Sequence, residues 1–201
     1  PKDQSTAERL AVWLMAQPWC GAITASDAVA GIPGTLPASL VGNQGPRSPE
    51  LTVSFHWDST PNSAGYDGKA YATGGEPGTG QHGSMSRHEM NNVLIAWGPS
   101  FKQNVAVDPP SGNVDLAPTV LQILGITDGP PMDGRILEEA LAGSTAPKSL
   151  IRGAPEVRPT ETHHAEHRLG QKVYSQWIKV SRVGTTVYVD AGNGGLGLRN
   201  A

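Results

Sequence analysis

Val93-Leu-Ile-Ala-Trp97, closed by Gly98-Pro99, is the stretch on which the fold turns. Five apolar residues without alternation predict a strand buried on both faces, the kind found in parallel sheets covered by helices. Downstream, Asn113 or Asp115 opens a helix with Leu116, Val120, Leu121 and Leu124 at helical spacing. Pro118 is tolerated in its first turn and Gly125 stops it. Ile136 to Leu141 gives another short helix, ended by Gly143. Upstream, residues 58–92 hold little that could build a core. Seven of the 25 glycines lie between Gly65 and Gly83. A loop this long inside a compact domain, running into a buried strand, reads as functional.

The first quarter reads helix, strand, helix, strand. Ser5 or Thr6 caps a helix with Leu10, Trp13 and Leu14 on one face, and Pro18 ends it. Gly21 to Thr24 is a short strand, Ser26 or Asp27 caps a brief helix ending at Gly31, Pro37 to Val41 is a second, and Leu51 to Trp57 alternates as a strand. At the other end, residues 144–170 are polar, contain three prolines and a histidine cluster, and read as a connector. Val173 to Val180 and Thr185 to Asp190 are rich in β-branched and aromatic residues. With Gly184 between them they predict a β-hairpin, and Gly192 to Gly197 a frayed end. The expected organisation is a small α/β unit over 1–57, a glycine-rich loop over 58–92, a core segment over 93–145, and a connector with hairpin over 146–201.

Composition narrows the function. Gly 25 and Pro 17 make up about a fifth of 201 residues, while charged residues reach only 16%, so short elements and many turns are expected rather than a coiled coil or charged tail. A net charge of −3 gives no electrostatic case for nucleic acid or an anionic membrane. No stretch approaches the roughly 20 apolar residues that cross a bilayer. The single cysteine, Cys20, has no internal disulfide partner and reads as a small buried thiol. The chain opens Pro1-Lys2-Asp3 with no initiator Met, and a processed product or a piece of something longer is expected.

Six histidines, at 56, 82, 88, 163, 164 and 167, carry the candidate chemistry. His82 has the most suggestive setting, Gly80-Gln-His-Gly83-Ser-Met-Ser, at the end of the glycine loop and ahead of the apolar strand. Ligands gather in the loops outside strand ends of such sheets, where glycines let backbone approach closely. His88 reads as exposed. His163-His164-x-x-His167 has helical metal-ligand spacing, but its polar, Pro-containing flank favours a solvated connector. Gly74-Gly-Glu-Pro-Gly-Thr-Gly80 lacks the Gly-Lys-Ser/Thr ending of a nucleotide P-loop. Trp57 and Trp97 are read as core, with stacking on a substrate as the alternative.

The run His82-Gly-Ser-Met-Ser-Arg-His-Glu-Met-Asn-Asn-Val-Leu-Ile-Ala-Trp-Gly-Pro-Ser-Phe-Lys102 resembles the closing segment of type I phosphodiesterase/nucleotide pyrophosphatase proteins, of the alkaline phosphatase superfamily. The resemblance continues through Asn113-Val-Asp-Leu-Ala-Pro-Thr-Val-Leu-Gln-Ile-Leu-Gly125 and Met132-Asp-Gly-Arg-Ile-Leu137, covering about residues 80–142. Residues 1–57 look more loosely like the small α/β insertion preceding that segment, chiefly at Arg47-Ser-Pro-Glu-Leu. The resemblance implies a mostly parallel three-layer α/β/α sheet. It also implies two metal ions, usually zinc, that stabilise the attacking and leaving oxygens of a small phosphate ester, with His82 as a ligand of one of them. A periplasmic or secreted location is compatible with it.

The family's early metal-binding Asp, its Thr or Ser nucleophile, its Asp-x-x-x-His pair and its Ser-Asp-His-Gly motif are absent from this sequence. No catalytic residue is therefore assigned. One imidazole cannot hold two zinc ions, since a catalytic zinc usually has three protein ligands. The expectation is the C-terminal portion of a metal-dependent phosphoric ester hydrolase, silent alone, whose partner is the missing N-terminal portion of the same protein. The alternatives are a non-catalytic binding module, or sulfatase or phosphonate-hydrolase chemistry within the superfamily.

Overall fold

The computed structural model describes residues 3–72, 82–143 and 160–197. It is a mixed α/β protein with three small sheets and few helices. The chain divides into two compact units. Pro1–Asn92, Glu161–Val180 and Val189–Ala201 form one; Val93–Thr160 and Ser181–Tyr188 form the other. The C-terminal strands contribute residues to both units.

The first unit has an apolar core. Helix α1 (Gln4–Met15) is capped by Asp3, whose carboxylate accepts from the Ser5 and Thr6 amides, so the cap lies just before the expected Ser5 or Thr6. Its buried face is Ala7, Ala11, Leu14 and Met15, while Leu10 and Trp13, expected on one face with Leu14, are exposed. Small alanines let the helix lie close to β1 (Cys20–Ala25), whose six residues are all buried. Strand β1 is central in its sheet, parallel to β2 (Leu36–Pro37) and antiparallel to β3 (Leu51–Phe55). Gly21 sits at a register irregularity between β1 and β3, where a Cβ would lie 2.5 Å from the Phe55 carbonyl oxygen. The two brief helices expected before β3 are single 3-10 turns, Asp27–Val29 and Ala38–Val41. Strands β4 (Trp57–Asp58) and β5 (Lys69–Ala70) pair antiparallel, and α2 (Arg87–Met90) is one turn.

The third sheet is β6 (Thr160–Leu169), β7 (Lys172–Val183) and β8 (Thr186–Leu196), in that order. Two-residue connections containing Gly170 and Gly184, both at positive φ, join neighbours and are short enough only for hairpins. The predicted hairpin is present and longer than its apolar stretch. The expected connector is corrected over 160–169, which is a strand. The frayed end is corrected too: β8 continues to Leu196 because Gly192 and Gly194 accept close neighbours, Met85 and the Gly21 carbonyl. Within the first unit, Gln176 of β7 is fully buried and bonds to β1 backbone. Its Oε1 accepts from Ile23 N (2.7 Å), and its Nε2 donates to Ile23 O (3.0 Å) and Gly34 O (2.5 Å). Tyr174 Oη donates to Gly21 O at 2.5 Å.

The second unit is organised differently. Helix α3 (Leu116–Ile123) follows a 3-10 turn at Asn113–Asp115, with Pro118 in its first turn as expected. The segment from Ile136 to Leu141 contains only a 3-10 turn, Glu138–Ala140. Among the described residues of this unit, Leu137 and Tyr188 are the buried apolar side chains; Asp115, Thr119, Glu139, Ser181 and Thr186 are buried and polar. The buried-strand reading of Val93–Trp97 is overturned. The segment is irregular, and Val93, Leu94, Ile95 and Trp97 are 84%, 49%, 84% and 94% exposed. A strand needs hydrogen-bonding neighbours, and no described strand pairs with this segment. Trp97 is accordingly not core, whereas Trp57, 7% exposed, is.

Candidate functional site

His82 is exposed and leads into a segment pinned from both sides. Met85 N donates to Ser54 Oγ at 2.8 Å, and Gly192 N donates to Met85 O at 2.8 Å. Gly83, at φ 96°, turns the chain directly after His82. Ser84 Oγ donates to Glu89 Oε2, Ser86 N donates to Ser84 Oγ, and Ser86 Oγ caps α2 by accepting from His88 N. Glu89 Oε1 is buried with no hydrogen-bond partner among the described residues. Burial pushes the Glu89 carboxyl above its ordinary value, against the opposing pulls of Ser84 and of His82. Sequence reasoning passed over Glu89; its place five residues after Ser84, across a single helical turn, was the available signal.

The described residues do not fit a complete zinc site. No group of three His, Cys, Asp or Glu side chains comes together among them, although the Glu89 carboxylate feels the charge of His82. His163, His164 and His167 are separated by the strand period. On β6, His163 and His167 share one half-buried face and His164 points to the other. His163 Nε2 lies 3.3 Å from Glu161 Oε2, and Glu166 accepts from Ser175 Oγ. Residues 73–81, the part of the glycine-rich loop that includes Gly74 to Gly80, lie outside the described residues.

A second cluster surrounds β4 and α2 in the first unit. His56 Nδ1 donates to Gly194 O (2.8 Å) and Asn193 Oδ1 (3.0 Å); both partners are acceptors, so this nitrogen carries the hydrogen. Trp57 Nε1 donates to Gly192 O at 2.6 Å, and its ring meets His88 edge-on at 5.9 Å. His88, exposed as expected, has its Nε2 3.2 Å from Ser59 Oγ, which also accepts from Arg87 Nη2 at 3.1 Å. Asp58 is bonded to Thr60 and Tyr71, which hold its carboxyl below the usual range, and Lys69 lies over the Tyr71 ring.

The most heavily bonded charges are in the second unit, and they are structural. Asp115 accepts from Gly112 N, Arg135 N and Tyr188 Oη; Arg135 donates to Tyr188 Oη, to Pro110 O and, in a bidentate pair, to Glu139. Thr119 Oγ1 accepts from Leu137 N, and Lys102 donates to Glu139 O and Ala140 O. A Cβ on Gly134 would collide with the Val114 carbonyl. Thus Gly-Pro-Ser-Phe-Lys102, Asp115-Leu-Ala-Pro-Thr119 and Asp133-Gly-Arg135 form one clasp with its polar groups satisfied. Burial pushes the Tyr188 phenol up to about 12. Burial alone would lower the Arg135 pKa, but the Glu139 bond reverses it. Near the clasp, an open cleft of about 790 Å³ between Ala96 and Ala106 is lined by no His, Cys, Asp or Glu. Cys20 is fully buried with its thiol pushed up to about 12, which makes it an inert core thiol rather than a nucleophile. Comparison with family models, curated proteins and solved structures gives no match to this chain.

Proposed function

We propose that this chain is the C-terminal portion of a metal-dependent phosphoric ester hydrolase of the phosphodiesterase/nucleotide pyrophosphatase type, supplying His82 as one zinc ligand. The observation that carries the reading is Val93–Trp97, eleven residues beyond His82 in order and almost wholly exposed despite its strand-like apolar character. The apolar side of α3 repeats the pattern, with Leu116, Val120 and Leu124 42%, 52% and 65% exposed. An irregular apolar segment and a helix that both leave apolar surface in water suit a sheet layer whose neighbours come from a preceding portion of the protein. In that intact protein the sheet is mostly parallel and three-layered, with residues 1–57 as a small insertion. Zinc, when bound, supplies Lewis-acid stabilisation of the phosphoryl oxygens. This chain's residues present an imidazole at His82 on a segment fixed by Ser54 and Gly192, and hold Glu89 beside it.

The test is metal content of the full-length protein. Two zinc ions per molecule are expected, and His82→Ala should lose one while the fold persists. Retention of both, or clear hydrolysis of bis-p-nitrophenyl phosphate by the 201-residue chain alone, overturns the reading.

A further inference from the structure

In the first unit, Asn193 of β8 is tied to His56 and to Trp57 of β4, and it is followed by a glycine. In a loose chain such a pair reacts with itself, because glycine leaves the backbone nitrogen unshielded. The Gly194 nitrogen attacks Asn193 Cγ, the new C–N bond closes a succinimide, and Nδ2 leaves as ammonia with the amide proton. Water then adds to one of the two ring carbonyls and gives an aspartyl or a β-aspartyl linkage. The fold needs both residues. A Cβ on Gly194 would collide with the Gly21 carbonyl oxygen and lie 2.8 Å from Tyr174 Oη. Asn193 uses both ends of its amide: Oδ1 accepts from His56 Nδ1 (3.0 Å), Trp57 N (3.3 Å) and Gly194 N (2.9 Å), and Nδ2 donates to Trp57 O (2.7 Å).

The same contacts hold the reaction off. Attack on a trigonal carbon comes from outside its plane, along the approach that carbonyl carbons accept. Gly194 N instead directs its hydrogen at Oδ1, and the bonds to His56 and Trp57 keep the carboxamide from turning. We propose that Asn193–Gly194 is a modification site gated by the fold. Closed, β8 protects it; released from His56 and Trp57, it converts, and conversion prevents reclosure. The product places a carboxylate oxygen where Nδ2 now faces Trp57 O, two acceptors with no hydrogen between them. A β-aspartyl linkage also lengthens the backbone by one carbon ahead of Gly194, which has no room to shift against Gly21. Lasting openings of the first unit are thus recorded chemically. Neither His82 nor a metal takes part, so the site stands apart from the hydrolase reading.

The experiment incubates the 201-residue chain in mildly alkaline buffer, native and in guanidinium chloride. It follows the amide-to-acid mass gain and the β-aspartyl content of the peptide that contains Asn193. Conversion in the native chain should be at least about a hundredfold slower, because it waits for an opening that is rarely populated. On return to native buffer, unmodified molecules should regain slow amide exchange over Cys20–Ala25 and Thr186–Leu196, and modified ones should not. Asn193→Asp carries the carboxylate without lengthening the backbone, and should lower protection of β8 about tenfold or more. Equal conversion rates in the two buffers, no conversion in guanidinium chloride, or full protection in modified molecules overturns the proposal. So does unchanged protection in Asn193→Asp. The rate comparison uses the unaltered sequence, so it decides even where the variant fails to fold.

Discussion

Strand β1 and the segment Val93–Trp97 invert the usual relation between apolar character and burial. Cys20-Gly-Ala-Ile-Thr-Ala25 contains one large aliphatic residue, yet all six positions are buried. Val-Leu-Ile-Ala-Trp is far more apolar, and its large side chains stand in water. The difference lies in backbone partners. Strand β1 has β2 on one side and β3 on the other, and Gln176 adds bonds to Ile23 and Gly34. No described strand pairs with Val93–Trp97, and without hydrogen-bonding neighbours an apolar run gains no cover from its own composition. The two units differ in the same way: the first folds around an apolar core, the second around a polar clasp with Leu137 and Tyr188 as its buried apolar side chains among those described.

The largest expected effect follows from that contrast. Asp115→Ala removes the acceptor for Gly112 N, Arg135 N and Tyr188 Oη and leaves these donors unsatisfied. Each costs about 1–3 kcal/mol, so a loss of about 3 kcal/mol or more is expected in the second unit. Amide hydrogen exchange would show collapse of protection over α3 with Cys20–Ala25 still protected. Equal loss in both units, or none in the second, would break the comparison.

Much of this was legible where a local pattern coincided with a local partner. Helix α3 and the β7–β8 hairpin follow from periodicity and from glycine at Gly125 and Gly184, since helices and hairpins satisfy their backbones within a short stretch. Strand β6 was hidden because His-His-x-x-His is polar and its pairing comes from β7. Gln176 carries no local signal for its role, because it bonds to residues 142 and 153 positions away. The clasp was visible only as motif spelling: nothing in the spacing of Asp115 and Arg135 says that they meet. Of the candidate site, His82 and its glycine turn were legible. The Ser59–His88 approach was not, because it joins residues 29 apart through a fold that brings β4 to α2.

An intermediate effect separates the units by pH. Burial raises the Cys20 thiol from 9.0 to about 12 and the Tyr188 phenol from 10.0 to about 12. A group whose pKa is raised in the folded state binds its proton more tightly there. Its stabilising effect is therefore complete below the unfolded pKa and lost as pH rises through the folded one. The first unit should begin to weaken above about pH 9 and the second above about pH 10, both continuing towards 12, as read by unit-resolved exchange in alkaline buffers. Cys20→Ala should delay the onset of the first unit's decline from about pH 9 to about pH 10, where the buried Tyr174 phenol, also raised, takes over, and leave the second unchanged. Simultaneous onset in both units, insensitive to this substitution, would show that other groups govern alkaline unfolding.

The smallest effect is the most telling for Val93–Trp97. Trp97 is 94% exposed and Trp57 7% exposed, so two tryptophans of one chain test the same side chain with and without cover. Trp97→Ser removes a ring that makes little contact, and should change the unfolding free energy measured in urea by no more than about 0.5 kcal/mol, the range of ordinary surface substitutions. Trp57→Phe keeps most of the ring area but strands the Gly192 carbonyl that Nε1 now serves, and should cost about 1 kcal/mol or more. If Trp97→Ser proves as costly as Trp57→Phe, the segment is covered in the isolated chain and the contrast with β1 fails. If it is neutral, the apolar character of Val93–Trp97 does not serve the stability of this chain alone.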